Sequence, residues 1–132
     1  MASLYRAADC GVFPSRGEGW GLPIHECIAS GTPAIVGRWS AMTEYIPETY
    51  PEGLQLRNAT LETANDGVWF HGDKGSWYSP PDTSVREAMR WAFENALAFS
   101  KDALWAKTVD RVRSFTWNRA GEQLINVIKN FM

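Results

Sequence analysis

Three glycines within five residues decide where this chain must turn. Gly17, Gly19 and Gly21 fall between an apolar run at 10–13, closed by Pro14, and an amphipathic run that ends at Gly31. A short apolar run closed by proline suits a buried parallel strand. The run after the glycines reads as a short helix that opens at Leu22 or Pro23, because proline is tolerated where the first N–H groups have no intrahelical partner. Gly31 is a natural stop, since it accepts a left-handed backbone. Strand, Gly-rich loop and helix start together make a site for an anion, because unpaired backbone N–H groups point out of the helix start. Glu18 and Glu26, with seven residues between them, bracket that start.

The rest of the chain continues the alternation. Residues 2–8 read as the end of a helix, with Leu4 and Tyr5 as its apolar contacts. Residues 33–36 read as a second short strand, and 42–46 as a single helical turn. Residues 47–74 read as an irregular insertion, in which Leu54-Gln55-Leu56 and Val68-Trp69-Phe70 form two short strands or a hairpin. Residues 75–78 read as another strand, ended by Pro80-Pro81. The last third is helical. Ser84 with Glu87 fits a capping box, followed at helical spacing by Val85, Met89, Ala92, Phe93 and Ala96. A second segment carries Leu104, Thr108, Val109 and Val112; a third is capped by Thr116 and carries Ala120, Leu124, Val127, Ile128 and Phe131. Strands alternating with helices predict one α/β domain over 1–132, with a parallel sheet.

Composition removes several classes. Thirteen Lys+Arg against fifteen Asp+Glu give a net charge of −2, which argues against a nucleic-acid partner. No apolar run is long enough to span a membrane and no apolar block opens the chain, so the expectation is a cytoplasmic protein. Cys10 and Cys27 sit among apolar residues and read as buried free thiols in a reducing compartment rather than a disulfide or metal site. No His/Cys/Asp cluster has metal-ligand spacing, and no metal is expected. Of the seven tryptophans, most are expected in the core and some could stack on sugars.

Phe13-Pro14-Ser15-Arg16, Glu18-Gly19-Trp20-Gly21-Leu22-Pro23, Glu26 and Gly31-Thr32-Pro33 together resemble the signature of GT-B fold glycosyltransferases, specifically glycosyltransferase family 4 (group 1). The flanks agree. Leu4 through Asp9 looks like the helix before the signature strand, and Thr43-Glu44-Tyr45-Ile46 stands at the family's turn after the next strand. Residues 75–82 resemble the strand and Pro-Pro-Asp turn that lead to the C-terminal helices, and Thr116-Trp117 the start of the closing helix. Cys27 stands where the family usually has Ala, a tolerable size change.

The resemblance implies a partial Rossmann-like sheet, the second half of a donor-binding domain, with 10–13, 33–36 and 75–78 as strands four, five and six of the order 3-2-1-4-5-6. It implies sugar transfer from a nucleotide diphosphate-sugar, with retention, to an acceptor glycan or other acceptor held by an N-terminal domain this chain lacks. No cofactor is implied beyond the donor itself. Backbone N–H groups from Gly19, Trp20, Gly21 and Leu22 would receive phosphate or sugar oxygens. Glu26 would accept hydrogen bonds from the donor ribose, and Glu18 would contact the transferred sugar as the catalytic carboxylate. Glu44 follows a strand's C-terminal end, where α/β ligands gather. Arg16 is either a counter-charge for the diphosphate or a surface residue. His25 is structural or exposed. The basic residues that usually hold the diphosphate lie outside this chain, so the chain alone is expected to be inactive and to dimerise through the open edge of strand four. Two alternatives stay open: a non-catalytic nucleotide-sugar-binding or scaffold protein, and a sugar-binding module that uses exposed tryptophans.

Overall fold

The computed structural model describes residues 1–99 and 102–131. The elements run α1 (Ala2–Arg6), β1 (Gly11–Phe13), α2 (Leu22–Ala29), β2 (Ala34–Gly37), α3 (Met42–Tyr45), a 3-10 turn (Glu52–Leu54), β3 (Gln55–Leu56), β4 (Thr60–Asn65), β5 (His71–Ser79), α4 (Asp82–Phe99), α5 (Ala103–Arg113) and α6 (Trp117–Asn130). β1, β2 and β3 form a parallel sheet in that order, with Val12 opposite Ile35 and Val36 opposite Gln55. β4 and β5 form a separate antiparallel hairpin. This is an α/β domain with a partial Rossmann-like parallel sheet.

β2 is the centre of the fold. All four of its residues are buried, as an inner parallel strand covered on both faces requires. α2 packs on β1 and β2 and carries α1 and α5 against it; α4 lies against β2, β3 and the 3-10 turn. Ile24, Cys27 and Ile28 of α2, Met42 and Tyr45 of α3, and Val109 and Val112 of α5 meet in one core. The fully buried Tyr50 hydroxyl closes the start of β2, donating to the Ala34 carbonyl and accepting from the Ala34 N–H at 3.2 Å. One side chain thus satisfies both backbone groups of a buried residue.

The third parallel strand is Gln55–Leu56, not residues 75–78. Burial explains the difference. Leu54 and Leu56 are buried, whereas every described residue of β4 except Ala64 is exposed, so that strand and its partner cannot lie inside a covered sheet. The stretch 47–74 therefore holds a core strand and most of a hairpin. Val68-Trp69-Phe70 is the hairpin's tip rather than a strand. The Asp66 carboxylate accepts from the N–H groups of Val68, Trp69 and Phe70 at 2.8–2.9 Å, and Gly67 takes φ +73°. Those three backbone donors hold the Asp66 pKa below the usual carboxylate value.

α4 turns inward on a stripe that keeps Val85 and Ala92 of the predicted apolar set and leaves out Met89 and Phe93. Ser84, Ala88 and Ala92 are buried, while Met89 is 50% and Phe93 88% exposed. The side chain of Ala96 lies outside those described. The helix approaches the 3-10 turn so closely that a Cβ on Gly53 would lie 2.0 Å from the Trp91 ring. Small residues permit that approach, and Met89 and Phe93 turn outward while Val85 and Trp91 pack against the core. Ser84 forms no capping box: it lies within α4, and its hydroxyl accepts from the Arg57 N–H at 2.7 Å. In α5 the inward set is Trp105, Thr108, Val109 and Val112, so Trp105 replaces Leu104. Thr116 caps α6 as expected, accepting from the Arg119 N–H, but no residue of α6 is buried. Of the tryptophans only Trp39 and Trp105 are buried; Trp69 is 77% and Trp117 92% exposed.

Both cysteines are free, with Cys27 buried and Cys10 half-buried. Burial pushes each thiol up to about 11 and raises the Tyr45 and Tyr50 hydroxyls further. The unfolded chain releases these protons near the ordinary thiol and phenol values, about 8.5 and about 10, before the folded chain does. Their contribution to stability is complete below about pH 8.5 and is lost as pH rises through the folded values. Urea melts at about pH 7.5 and about pH 10.5 should show a lower midpoint at the higher pH, with a smaller difference in Cys27→Ala. Equal midpoints would contradict burial of these groups.

Candidate functional site

Parallel pairing sets the C-terminal ends of β1 and β2 side by side, and the loops that leave them interlock. Ser40, just after β2, donates from its hydroxyl to the Glu18 carbonyl at 2.6 Å and accepts from the Glu18 N–H at 3.0 Å. Ser40 holds φ +55°, an uncommon backbone for a residue with a Cβ. The Trp39 indole donates to the Ser15 carbonyl at 3.0 Å, and the Ser15 hydroxyl donates to a Glu18 carboxylate oxygen at 2.7 Å. Glu18 is thus fixed by backbone and side chain, with no partner for its second carboxylate oxygen among the described residues.

Gly21 is the residue before α2 and holds φ +75°; its carbonyl accepts the first helical bond, from His25. A Cβ there would lie 3.0 Å from the Tyr45 hydroxyl. Around Gly17 and Gly19 an added Cβ would meet nothing within 4 Å, so that side of the loop is open. Among the described residues, no acceptor in the protein takes the N–H groups of Gly19, Trp20, Gly21 or Leu22. Four donors at a helix start, beside an open loop, suit an anionic ligand.

The remaining residues expected at the site are placed less uniformly. Glu26 lies in the second turn of α2, exposed, beside Tyr5 of α1. The Tyr5 pKa is raised, first by burial and then by the Glu26 carboxylate. Trp20 packs its ring against His25, Tyr45 and Phe115, with centroids 5.4–6.0 Å apart. That cluster anchors the loop to α2, α3 and the turn after α5. His25 is half-buried with an unpartnered Nε2, and burial lowers its pKa, which favours the neutral ring. Glu44 is exposed in α3; Arg111 of α5 donates to the Glu44 and Tyr45 carbonyls at 2.9 and 3.1 Å, a cation at that helix's C-terminal end. Arg16 is exposed, with its guanidinium 4.9 Å from the Trp77 ring centre.

Ser40, Trp39 and Ser15 are site builders that the sequence alone did not single out. Ser15 with Glu18 has the spacing of a capping pair, which was a usable signal. Trp39 and Ser40 lie more than twenty positions away from their partners, and nothing local marks them. Among the described residues no three His, Cys, Asp or Glu side chains converge as a metal group would, and no helix is long and apolar enough to cross a membrane.

A family described as glycosyl transferases group 1 matches residues 1–72, from α1 through the loop, α2 and the parallel sheet into the hairpin. The chain belongs to the group 1 glycosyl transferases. No curated protein and no solved structure matches it. Group 1 membership assigns glycosyl transfer as the general chemistry, and the matched residues contain the whole interlocked loop.

Gly21→Ala tests that interlock. It forces a Cβ into a left-handed backbone and against the Tyr45 hydroxyl, and should destabilise by about 1–3 kcal/mol. Gly19→Ala should leave the melting temperature unchanged, because its Cβ meets open space. Equal melting temperatures for Gly21→Ala and the parent would refute the role given to Gly21.

Proposed function

We propose that this chain supplies part of the donor site of a glycosyltransferase that uses a nucleotide diphosphate-sugar and retains the anomeric configuration. The four N–H groups at residues 19–22, without an acceptor among the described residues and set just before and at the α2 start beside an open loop, carry the reading. Breaking the bond between sugar and phosphate puts charge on the leaving phosphate. Donors already fixed in place stabilise that charge without reorganising. Glu18, held by Ser15 and Ser40, offers its second oxygen to hydroxyls of the transferred sugar near the reacting carbon. Glu26 accepts from the ribose hydroxyls, since both carboxylate oxygens can serve a vicinal diol. Leu22 contributes its N–H, Trp20 sets the loop by packing, and Glu44 lines the rim. Arg16 faces the phosphates. The acceptor meets the sugar from another part of the enzyme.

Two further proposals follow from the same surfaces. The outer edge of β1 pairs with no strand among the described residues and Val12 is partly exposed, so a second copy docks there; light scattering that stays monomeric across concentration would refute it. Free thiols, one buried and one half-buried, fit the reducing cytoplasm.

Glu26→Gln should weaken nucleoside diphosphate-sugar binding at least about tenfold, or about 1.4 kcal/mol, with little change in melting temperature. Glu18→Gln should act on turnover more than on nucleotide affinity. Calorimetric titration and a transfer assay read the two effects. Nucleotide binding that ignores Glu26→Gln would sink the donor assignment; binding without any turnover would mark a nucleotide-sugar-binding protein instead.

A further inference from the structure

The hairpin carries rings where they do nothing for the core. Ala64 is the one buried apolar residue of β4 and β5 among those described, yet Val68, Trp69 and Phe70 stand together at the tip, with Trp69 77% exposed. Among the described residues the Trp69 ring meets no other ring and no cation. The backbone beneath it is held firmly. Besides the three N–H groups that reach the Asp66 carboxylate, the Gly67 N–H donates to the Asn65 side-chain oxygen at 3.0 Å and the Asp66 N–H to the Phe70 carbonyl at 3.0 Å. A tip fixed in this way presents an exposed indole without losing loop freedom when a ligand arrives.

From the tip, rings and polar groups lead back to the Gly-rich loop. The Phe70 ring packs against Trp77 at 5.6 Å, and the Arg16 guanidinium lies 4.9 Å from the Trp77 ring centre. Glu62 stands opposite Trp77 in the ladder, so both side chains lie on one face of the hairpin. The Thr60 hydroxyl donates to one Glu62 carboxylate oxygen at 3.1 Å, and the other oxygen has no partner among the described residues. At the base, the Tyr78 N–H donates to the Arg16 carbonyl at 3.0 Å and the Tyr78 ring stacks on Trp39. The six residues of β4 span about 20 Å at about 3.3 Å each, which suits several sugar-sized rings in a row rather than one.

Free aromatic faces beside carboxylates suit a neutral carbohydrate. A sugar ring offers a face of weakly positive C–H groups to the negative face of an aromatic ring, and its vicinal hydroxyls donate to carboxylate oxygens. Charge separates this ligand from others. Glu62, Asp66 and Asp73 against Lys74 leave the hairpin negative, which disfavours a phosphate-rich ligand or an anionic membrane surface.

We propose that the hairpin is an acceptor-recognition arm. Trp69 and Phe70 stack on rings of a neutral oligosaccharide, Glu62 accepts from its hydroxyls, and the arm takes the part of the acceptor remote from the reacting hydroxyl. The acceptor role rests on the transferase reading above; the glycan site itself does not. Asp66 is a positioning residue: its carboxylate holds the tip, not the ligand.

The test is calorimetric titration of the full chain with cellohexaose, mannohexaose and maltohexaose, with glucose as the single-ring control and phosphatidylcholine vesicles as the rival partner. At least one hexasaccharide should bind, at least about tenfold more tightly than glucose and with little dependence on salt. Trp69→Ala should reduce that affinity at least about fivefold at unchanged melting temperature, and Trp69→Tyr should recover part of the loss. Asp66→Ala should weaken binding by a smaller factor and Asp66→Asn should restore it, because the amide oxygen still accepts. Tryptophan emission should shift to the blue on binding, and shift less in Trp69→Phe. Failure of all three hexasaccharides to bind, or equal affinity in the parent and Trp69→Ala, overturns the arm. Trp69-dependent sedimentation with the vesicles in place of hexasaccharide binding overturns it in favour of a membrane contact. If a nucleoside diphosphate-sugar binds in a Glu26-dependent way while Trp69→Ala changes no hexasaccharide affinity, the arm falls and the donor reading stands. If a hexasaccharide needs Trp69 but no nucleotide binds, the glycan site stands and the donor reading falls.

Discussion

The parallel pairing of β1 with β2 is the constraint on which the site depends. It places Phe13 opposite Val36, so the chain leaves both strands at the same edge of the sheet. Only then can Ser40, which follows shortly after β2 ends at Gly37, reach back across to the Glu18 backbone. An antiparallel pair would send the two loops to opposite edges. The pairing is itself held by burial: β2 exposes nothing, and Tyr50 satisfies Ala34 where the strand enters the core. The Gly-rich loop can be open on one side because the other side is bonded to Ser40, close after a fully buried strand.

What was legible in the sequence was what local chemistry dictates. Pro14, the glycines and Gly31 mark the ends of β1 and α2, and Thr116 marks the start of α6, because each acts on its own backbone within a few residues. The third strand was not. Leu54-Gln55-Leu56 and the stretch at 75–78 are both short and partly apolar, and only the environment separates them: Leu56 is buried against β2, while Tyr78 is partly exposed. That choice is made by contacts distant in sequence. The face of α4 failed differently. Hydrophobicity favours Met89 and Phe93 as inward residues, but with Trp91 set against Gly53 the fully buried positions beneath the helix are Ser84, Ala88 and Ala92, with Val85 packed beside them. Volume, not polarity, decided the rotation.

The same distinction runs through the site. The loop residues expected at the candidate site are clustered in sequence, between Arg16 and Glu26. Residues that hold those in place come from β2's exit and from β5, and no spacing connects them. Trp39 illustrates the point. It fills the space beside Gly37, where an added Cβ would lie 2.2 Å from its ring, and it also donates to Ser15 and stacks on Tyr78. One indole joins the sheet, the Gly-rich loop and the hairpin, and its role is invisible until all three are assembled.

This arrangement explains how a polar hairpin with little buried surface can still matter to the site. β4 and β5 contribute almost nothing to the core, and Ala64 is their one buried apolar residue among those described. Their attachment is concentrated at the base, through the Tyr78 backbone bond, the Trp39–Tyr78 stack and the cation over Trp77. Such contacts are each worth about 0.5–1.5 kcal/mol, too little to define a fold but enough to select one loop geometry from several. The parallel sheet supplies stability and the hairpin supplies selection, and the two act on the same short loop from opposite sides of Trp39.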